Sequence, residues 1–474
     1  MISSTPARES LQDATPSTRS LRIESIDVLR GIAVLAALYV SVWIFGGFSN
    51  QQQYHWLQVS RGWNYRIYGA MELLINGKMR ALIAIVFGAA MVIFLSKPSV
   101  PGKLATPELF IRRQMWLILF GLINAVIFLW THDILFHLGI MGILLFPFVR
   151  MSYRGLFIAA LLMTLIYCGK NFWSYADKQD KYQKYLVVTS LEKKYEKDSV
   201  TLAFKGTIKA KDTLTKLEVQ DKKAWEGLLG SMKVDLKKDE GKVKAMHTES
   251  YGKAWNHLLP DTQMWEAMWT YQFGIWDFAG MIFLGMALYK YGFFANKYSG
   301  SKYLLLSLCC IAAGLLLGWF RLYYLQVTLN DFTKYVKGYA VPHDIFFPFE
   351  RALLALGYAG LVLYFLSARL FTGICHAFSC AGKLALSNYI LQTILCSLFF
   401  YGYGMGYFGR VNQFKLYVFA SEMIIVQIAF SVIWLKYYQH GPAEWLLRKL
   451  YHSKERAAEK VVPFDSTLPA NSFL

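Results

Sequence analysis

Charge is scarce in this chain, and acid scarcer than base. Of 474 residues only 17% are Asp, Glu, Lys or Arg, with 31 acidic side chains against 50 basic ones. A soluble chain of this length would divide into domains whose surfaces need far more charge, so an ordinary soluble fold is excluded. Cysteine is equally thin. Cys168, Cys309, Cys310, Cys375, Cys380 and Cys396 lie in or near apolar segments and none falls in the long hydrophilic stretch, which excludes a disulfide framework. Cys375, His376 and Cys380 cluster, but a zinc site needs more ligands at finger-like spacing, so no metal is expected. No P-loop or dinucleotide glycine pattern occurs. Gly402, Gly404, Gly406 and Gly409 alternate with aromatics in a turn instead of opening a helix. No small-residue cleavage pattern follows the first apolar run, which reads as an uncleaved anchor.

What is abundant is apolar sequence in long blocks, with 55% of residues hydrophobic and 16% aromatic. About ten runs approach the roughly 20 residues that a hydrocarbon core requires. They are Val28 to Phe45, Met79 to Leu95, Met115 to Trp130, Ile134 to Val149, Leu156 to Cys168, Gly274 to Tyr289, Tyr303 to Leu325, Leu353 to Leu366, Leu384 to Tyr401 and Tyr417 to Leu435. The expected fold is an all-α polytopic membrane protein of about ten transmembrane helices with one long exported hydrophilic insertion. Its expected parts are a disordered tail over 1–20, a first bundle over 21–169, the insertion over 170–272, a second bundle over 273–436, and an interfacial helix with a cytoplasmic tail over 437–474.

The net charge of +19 is spread over loops between the runs, as basic flanks of membrane spans would be. The expected partner is therefore a lipid bilayer and not nucleic acid. An even number of spans puts both termini on one side, and the majority of the basic loops makes that side the cytoplasm of an inner membrane. Arg61, Arg66, Lys78 and Arg80, between the first two runs, go against that majority. Within the Lys-rich insertion, Tyr185 to Thr189 and the alternating stretch from Thr201 to Lys209 suggest short strands. Trp265, Met268 and Trp269 at i, i+3, i+4 suggest a helix lying on the outer leaflet. The segment Gly441 to Tyr451, with Pro442 near its start, reads as an interfacial helix.

Ionisable residues at the ends of these runs are the candidate site. Asp27 and Arg30 stand one turn apart at the mouth of the first run, either as a basic anchor or as the polar lip of an embedded site. His132, Asp133 and His137 are the catalytic candidates. Asp133 and His137 share a helical face, so a carboxylate would orient an imidazole for general-base work; alternatively Thr131 or Asp133 caps the fourth span. Arg112 and Arg113, with Arg150, Arg154 and Lys383, either receive the phosphates of an acyl-CoA donor or simply mark the inner side. Glu350 and Arg351 form a pair facing a cavity or an interface snorkel. Ser387, Asn388 and Gln392 form a polar stripe for interhelical bonding or substrate contact.

Three blocks resemble the YeiB-like family of bacterial membrane proteins, whose carboxy-terminal region is a domain of unknown function. They are Ser25-Ile-Asp-Val-Leu-Arg-Gly-Ile-Ala33, the stretch from Arg112-Arg113 through Gly121-Leu122 to Asp133-Ile-Leu135 and Gly139, and Gly382-Lys-Leu-Ala-Leu-Ser-Asn-Tyr-Ile-Leu-Gln392 followed by Gly441-Pro-Ala-Glu-Trp-Leu-Leu-Arg448. The opening of the first span is also similar to that of transmembrane acyltransferases, including the acyltransferase-3 proteins and the heparan acetyltransferases. That similarity implies acyl transfer from a cytoplasmic donor, with acyl-CoA as a diffusible substrate and no resident cofactor, to an exported acceptor. The acyltransferase-3 pattern has a histidine about three turns after the span-one arginine; here Tyr39, Val40 and Ser41 occupy that place, and Asn124 stands where YeiB-like relatives carry histidine. A small-solute transporter or channel, or an envelope scaffold without catalysis, are the alternatives. Matched broken helices in two halves would favour a transporter, and no repeat between the halves is visible.

Overall fold

The computed structural model describes residues 16–47, 62–98, 104–204, 214–232, 243–248, 250–295 and 298–452, all helix and connecting turns. In chain order the helices are α1 (Pro16–Phe45), α2 (Trp63–Leu74), α3 (Lys78–Leu95), α4 (Thr106–Leu122), α5 (Leu135–Leu145), α6 (Tyr153–Phe204), α7 (Lys216–Met232) and α8 (Tyr251–Gln263). They continue as α9 (Ile275–Tyr291), α10 (Gly300–Asn330), α11 (Phe332–Gly338), α12 (Phe347–Ser367), α13 (Thr372–Lys383), α14 (Ala385–Phe400), α15 (Gln413–Tyr437) and α16 (Pro442–Tyr451).

Among the described residues eight helices, some with their continuations, are long and apolar enough to cross a membrane, and nine if the pair α13 and α14 counts as one span bent by 78°. The protein is an all-α polytopic membrane protein. The expected count of ten falls short at α5, which with its 3-10 extension Phe146–Arg150 is a shorter apolar helix. Its run looked long because Pro147 and the tight final turn are as apolar as the helix before them.

The helices α1 and α3 form the centre. On α1 pack α3, α13, α14 and α15, and on α3 pack α9 and α12. Two contacts bring backbones together where no side chain fits. A Cβ on Gly382 would lie 1.8 Å from the Asp27 carbonyl oxygen, and one on Gly285 would lie 1.9 Å from that of Ile85. In an apolar solvent such close approach replaces the hydrophobic drive with dispersion between backbones. At the periphery α10 and α15 leave most of their apolar surface uncovered, as lipid-facing helices would.

The insertion departs from expectation. Tyr185–Thr189 and 201–204 continue α6 as helix, while 205–209 lie outside the described residues. Tyr175 and Tyr182, with Tyr185 packed beside them, bury one face of α6 against Trp225 of α7 and Tyr335 and Val336 of α11. That small core outweighs the strand preference of the β-branched run. The expected tail over 1–20 is likewise helical from Pro16, and residues 1–15 lie outside the described set. Trp265 and Trp269 do not lie on a leaflet. They belong to a π-helix, Met264–Gly274, that joins α8 to α9, and its wider turn stacks the two indoles 4.1 Å apart and faces them inward over Arg80. Only Met268 of the three is half exposed. The terminal helix α16 forms as expected, with Pro442 in its first turn.

Candidate functional site

Three cavities adjoin end to end along α1. The first, a vestibule of about 620 Å³, opens beside the start of α1 and is walled by Asp27, Arg30, Lys97, Arg113, Arg448 and His452. The second is a largely apolar throat of about 180 Å³, which shares Arg30, Ala90 and Arg113 with the vestibule. The third, a chamber of about 260 Å³, shares Ile83, Ile134 and Tyr389 with the throat and reaches His132, Arg80, Glu72 and Trp265.

At the vestibule Arg30 pairs with Asp27 at 3.2 Å and keeps 32% of its side chain exposed. It also lies 3.5 Å from the Gly382 carbonyl. An Arg at this depth needs such partners because lipid solvates none of its five donors. Arg113 faces the same space, its guanidinium over Phe94 at 5.8 Å. Arg112, one residue away, is turned outward to Glu108 at 2.8 Å. Lys383 lines the throat, whereas Arg154 stacks on Tyr153 away from these cavities.

The other end is built around the connection after α4. That helix ends in a π-turn, Ile123–Ile127, and the chain then passes through Leu129 at φ 61°, a strained conformation for a branched residue. Asp133 is fully buried. Its carboxylate accepts from Asn124 Nδ2 at 2.8 Å, from the Tyr389 hydroxyl at 3.1 Å and from the Phe136 amide at 2.8 Å, the last of which caps α5. Burial pushes its carboxyl up to about 6, against the pull of those three donors. His137 lies on the same face but meets the Asp133 main-chain carbonyl at 2.9 Å instead of the carboxylate, and its Nε2 meets Thr270 at 2.6 Å. A carbonyl only accepts, so Nδ1 carries a proton in that bond. The capping alternative for Asp133 is the one these bonds follow, and neither Asp133 nor His137 lines the three cavities.

His132 does line the chamber. Its Nδ1 is 2.9 Å from the Thr131 hydroxyl and its ring sits 4.5 Å from that of Trp265. Burial holds the imidazole down to about 4, hence neutral near pH 7.

Beside the chamber is a buried ionic lattice. Arg321 on α10 bonds Glu350 at 2.7 Å and Glu72 at 2.9 Å, and Lys78 bonds Glu350 at 2.5 Å. Arg351 grips both oxygens of Asp277, and Arg80 reaches the same carboxylate at 3.3 Å. Glu350 and Arg351 are thus neighbours in sequence with separate partners, neither snorkelling to an interface. Asn388 bonds Ser431 at 2.9 Å and Gln392 bonds Gln427 at 2.9 Å, tying α14 to α15. Glu72, Arg80, Asp277, Arg321, Tyr389 and Glu444 were missed from sequence. Asp277 and Arg321 were findable as ionisable residues inside apolar runs.

A bundle of apolar helices with a buried ionic lattice and a polar-ended cavity run defines a multi-pass membrane protein. Residues 288–454 match the family described as Protein of unknown function (DUF418). The chain is 26% identical over 434 residues to Uncharacterized protein YeiB of Escherichia coli (strain K12), a match covering 90% of this chain and 95% of that one. It is 24% identical over 457 residues to Uncharacterized protein YxaH of Bacillus subtilis (strain 168), covering 94% and 98%. The chain is therefore similar along nearly its whole length to YeiB/YxaH-like bacterial membrane proteins. No solved structure matches it.

Proposed function

We propose that this inner-membrane protein is an acyltransferase carrying an acyl group from cytoplasmic acyl-CoA to an exported hydroxyl acceptor. The supporting observation is the run of three adjoining cavities from the basic vestibule at Arg30 to the neutral imidazole of His132. Arg30, Arg113 and Arg448 suit CoA phosphates, which guanidinium groups bind with paired hydrogen bonds. The apolar throat suits the pantetheine and acyl chain. Arg30 and Ser41 are eleven residues apart on α1, about 16 Å at the helical rise, the order of an extended pantetheine arm. In the chamber the acceptor hydroxyl gives its proton to His132 as its oxygen attacks the thioester carbonyl carbon. The C–S bond then breaks, and CoA leaves as the thiol with the proton returned by the imidazolium.

Acyl-CoA binding to the purified protein tests this. Arg30→Ala with Arg113→Ala should weaken it by roughly tenfold or more, as loss of charge-assisted bonds does. His132→Asn should leave binding intact and remove transfer. Solute uptake into liposomes with no acyl-CoA binding would replace this reading with the transporter. Counting the short α5 and the bent α13–α14 pair as crossings gives ten spans, which puts 170–272 outside and both termini inside, so reporters fused at Lys211 and Lys454 should report opposite sides of the membrane.

A further inference from the structure

The lattice around the chamber is not charge-balanced. Glu72 and Glu350 hold Arg321 and Lys78, two anions for two cations. Among the described residues Asp277 alone serves both Arg80 and Arg351. Arg351 has the better share, fully buried with both terminal nitrogens on the two carboxylate oxygens. Arg80 reaches one oxygen through one nitrogen at 3.3 Å, its Nε has no hydrogen-bond partner, and 22% of its side chain is exposed. That residue lines the chamber. Two other acids nearby do not bond it: Asp133 is held by Asn124, Tyr389 and the Phe136 amide, and both carboxyl oxygens of Glu266 are buried with no hydrogen-bond partner among the described residues. Trp265 and Trp269 pack on the guanidinium at 5.7 and 4.9 Å and hold it in place.

A guanidinium left half-compensated draws an anion to the side still open, since a charge largely withdrawn from water is unfavourable without a matching partner. We propose that the chamber binds an oxyanion, the carboxylate or phosphate of a small molecule, with Arg80 as its anchor. The placement of α3 adds to this. Asn76, Gly77 and Met79 wall the chamber next to Arg80, so the turn that carries α2 into α3 sets the guanidinium at its edge. This deepens the transfer reading by giving the acceptor a negative group, while the binding itself can be measured without any acyl donor.

Sn-glycerol 3-phosphate and glycerate carry the oxyanion and glycerol does not. The vestibule is first disarmed with Arg30→Gln and Arg113→Gln, so that its cations do not contribute. In that protein, purified in detergent, either anion should raise the thermal midpoint and bind saturably, and glycerol should do neither. The stronger of the two names the source, phosphate or carboxylate. Arg80→Gln should weaken binding by roughly tenfold to a hundredfold, and Arg80→Lys by less. Ala37→Phe, which fills the chamber without touching the lattice, should also block binding and carries the test if Arg80→Gln does not fold. Protection by glycerol as strong as by the anions, no anion binding at all, or undiminished binding in Arg80→Gln or Ala37→Phe would overturn the proposal. Anion binding without acyl-CoA binding keeps it and removes the transfer reading; acyl-CoA binding without anion binding does the reverse.

Discussion

The vestibule and the lattice draw on the same residue types and spend them differently. Around the vestibule Arg30, Arg113, Lys97 and Arg448 face open space, with Asp27 the only acid in the wall among the described residues. Around the chamber Lys78, Arg321 and Arg351 are sealed among carboxylates and are essentially unexposed. Cations of the first kind keep hydrogen-bonding capacity for something that arrives. Those of the second kind have used it on the protein and serve as cross-braces between α2, α3, α9, α10 and α12. Only Arg80 sits between the two conditions.

The difference is sharpest in stability. Removing a partner from the lattice leaves a buried charge uncompensated, so Glu350→Gln should cost about 3–5 kcal/mol, read as a lowered unfolding midpoint and reduced yield in detergent. A milder outcome would mean that water reaches Arg321 and Lys78. Gly382→Ala should follow at about 1–3 kcal/mol, because the new methyl must push α13 away from the Asp27 carbonyl. Arg30→Gln should cost about 1 kcal/mol, from the lost bond to the largely buried Asp27, while reducing acyl-CoA binding, the opposite balance from Glu350. Arg112→Gln should change least. Its exposed pair with Glu108 contributes about 0.3–0.5 kcal/mol and it lines none of the three cavities, so donor binding should match the parent protein.

Much of the vestibule was legible in the order of residues. An Arg one turn into an apolar run, with Asp three residues before it, has few cheap arrangements, and Arg30 adopts one of them. The apolar runs and the terminal helix were legible for the same reason, since each is decided within one segment. The lattice was not. Glu72 and Arg321 are 249 residues apart, and nothing local says that α2 and α10 will meet. The Asp133–His137 pair misled because helical spacing fixes which residues share a face but not which acceptor an imidazole takes; the main-chain carbonyl was nearer than the carboxylate. Trp265 and Trp269 misled because a π-turn changes which direction a given spacing points.

The bend between α13 and α14 has a consequence for the end of the chain. Amides at the start of a helix need acceptors, and here those of Leu386 and Ser387 find Glu444 of α16 at 2.7 and 3.1 Å. Glu444 and Leu447 also wall the throat. The last described helix thus acts as a doorpost. The width of the throat is therefore fixed in part by a helix that lies more than fifty residues further along the chain than the amides it caps.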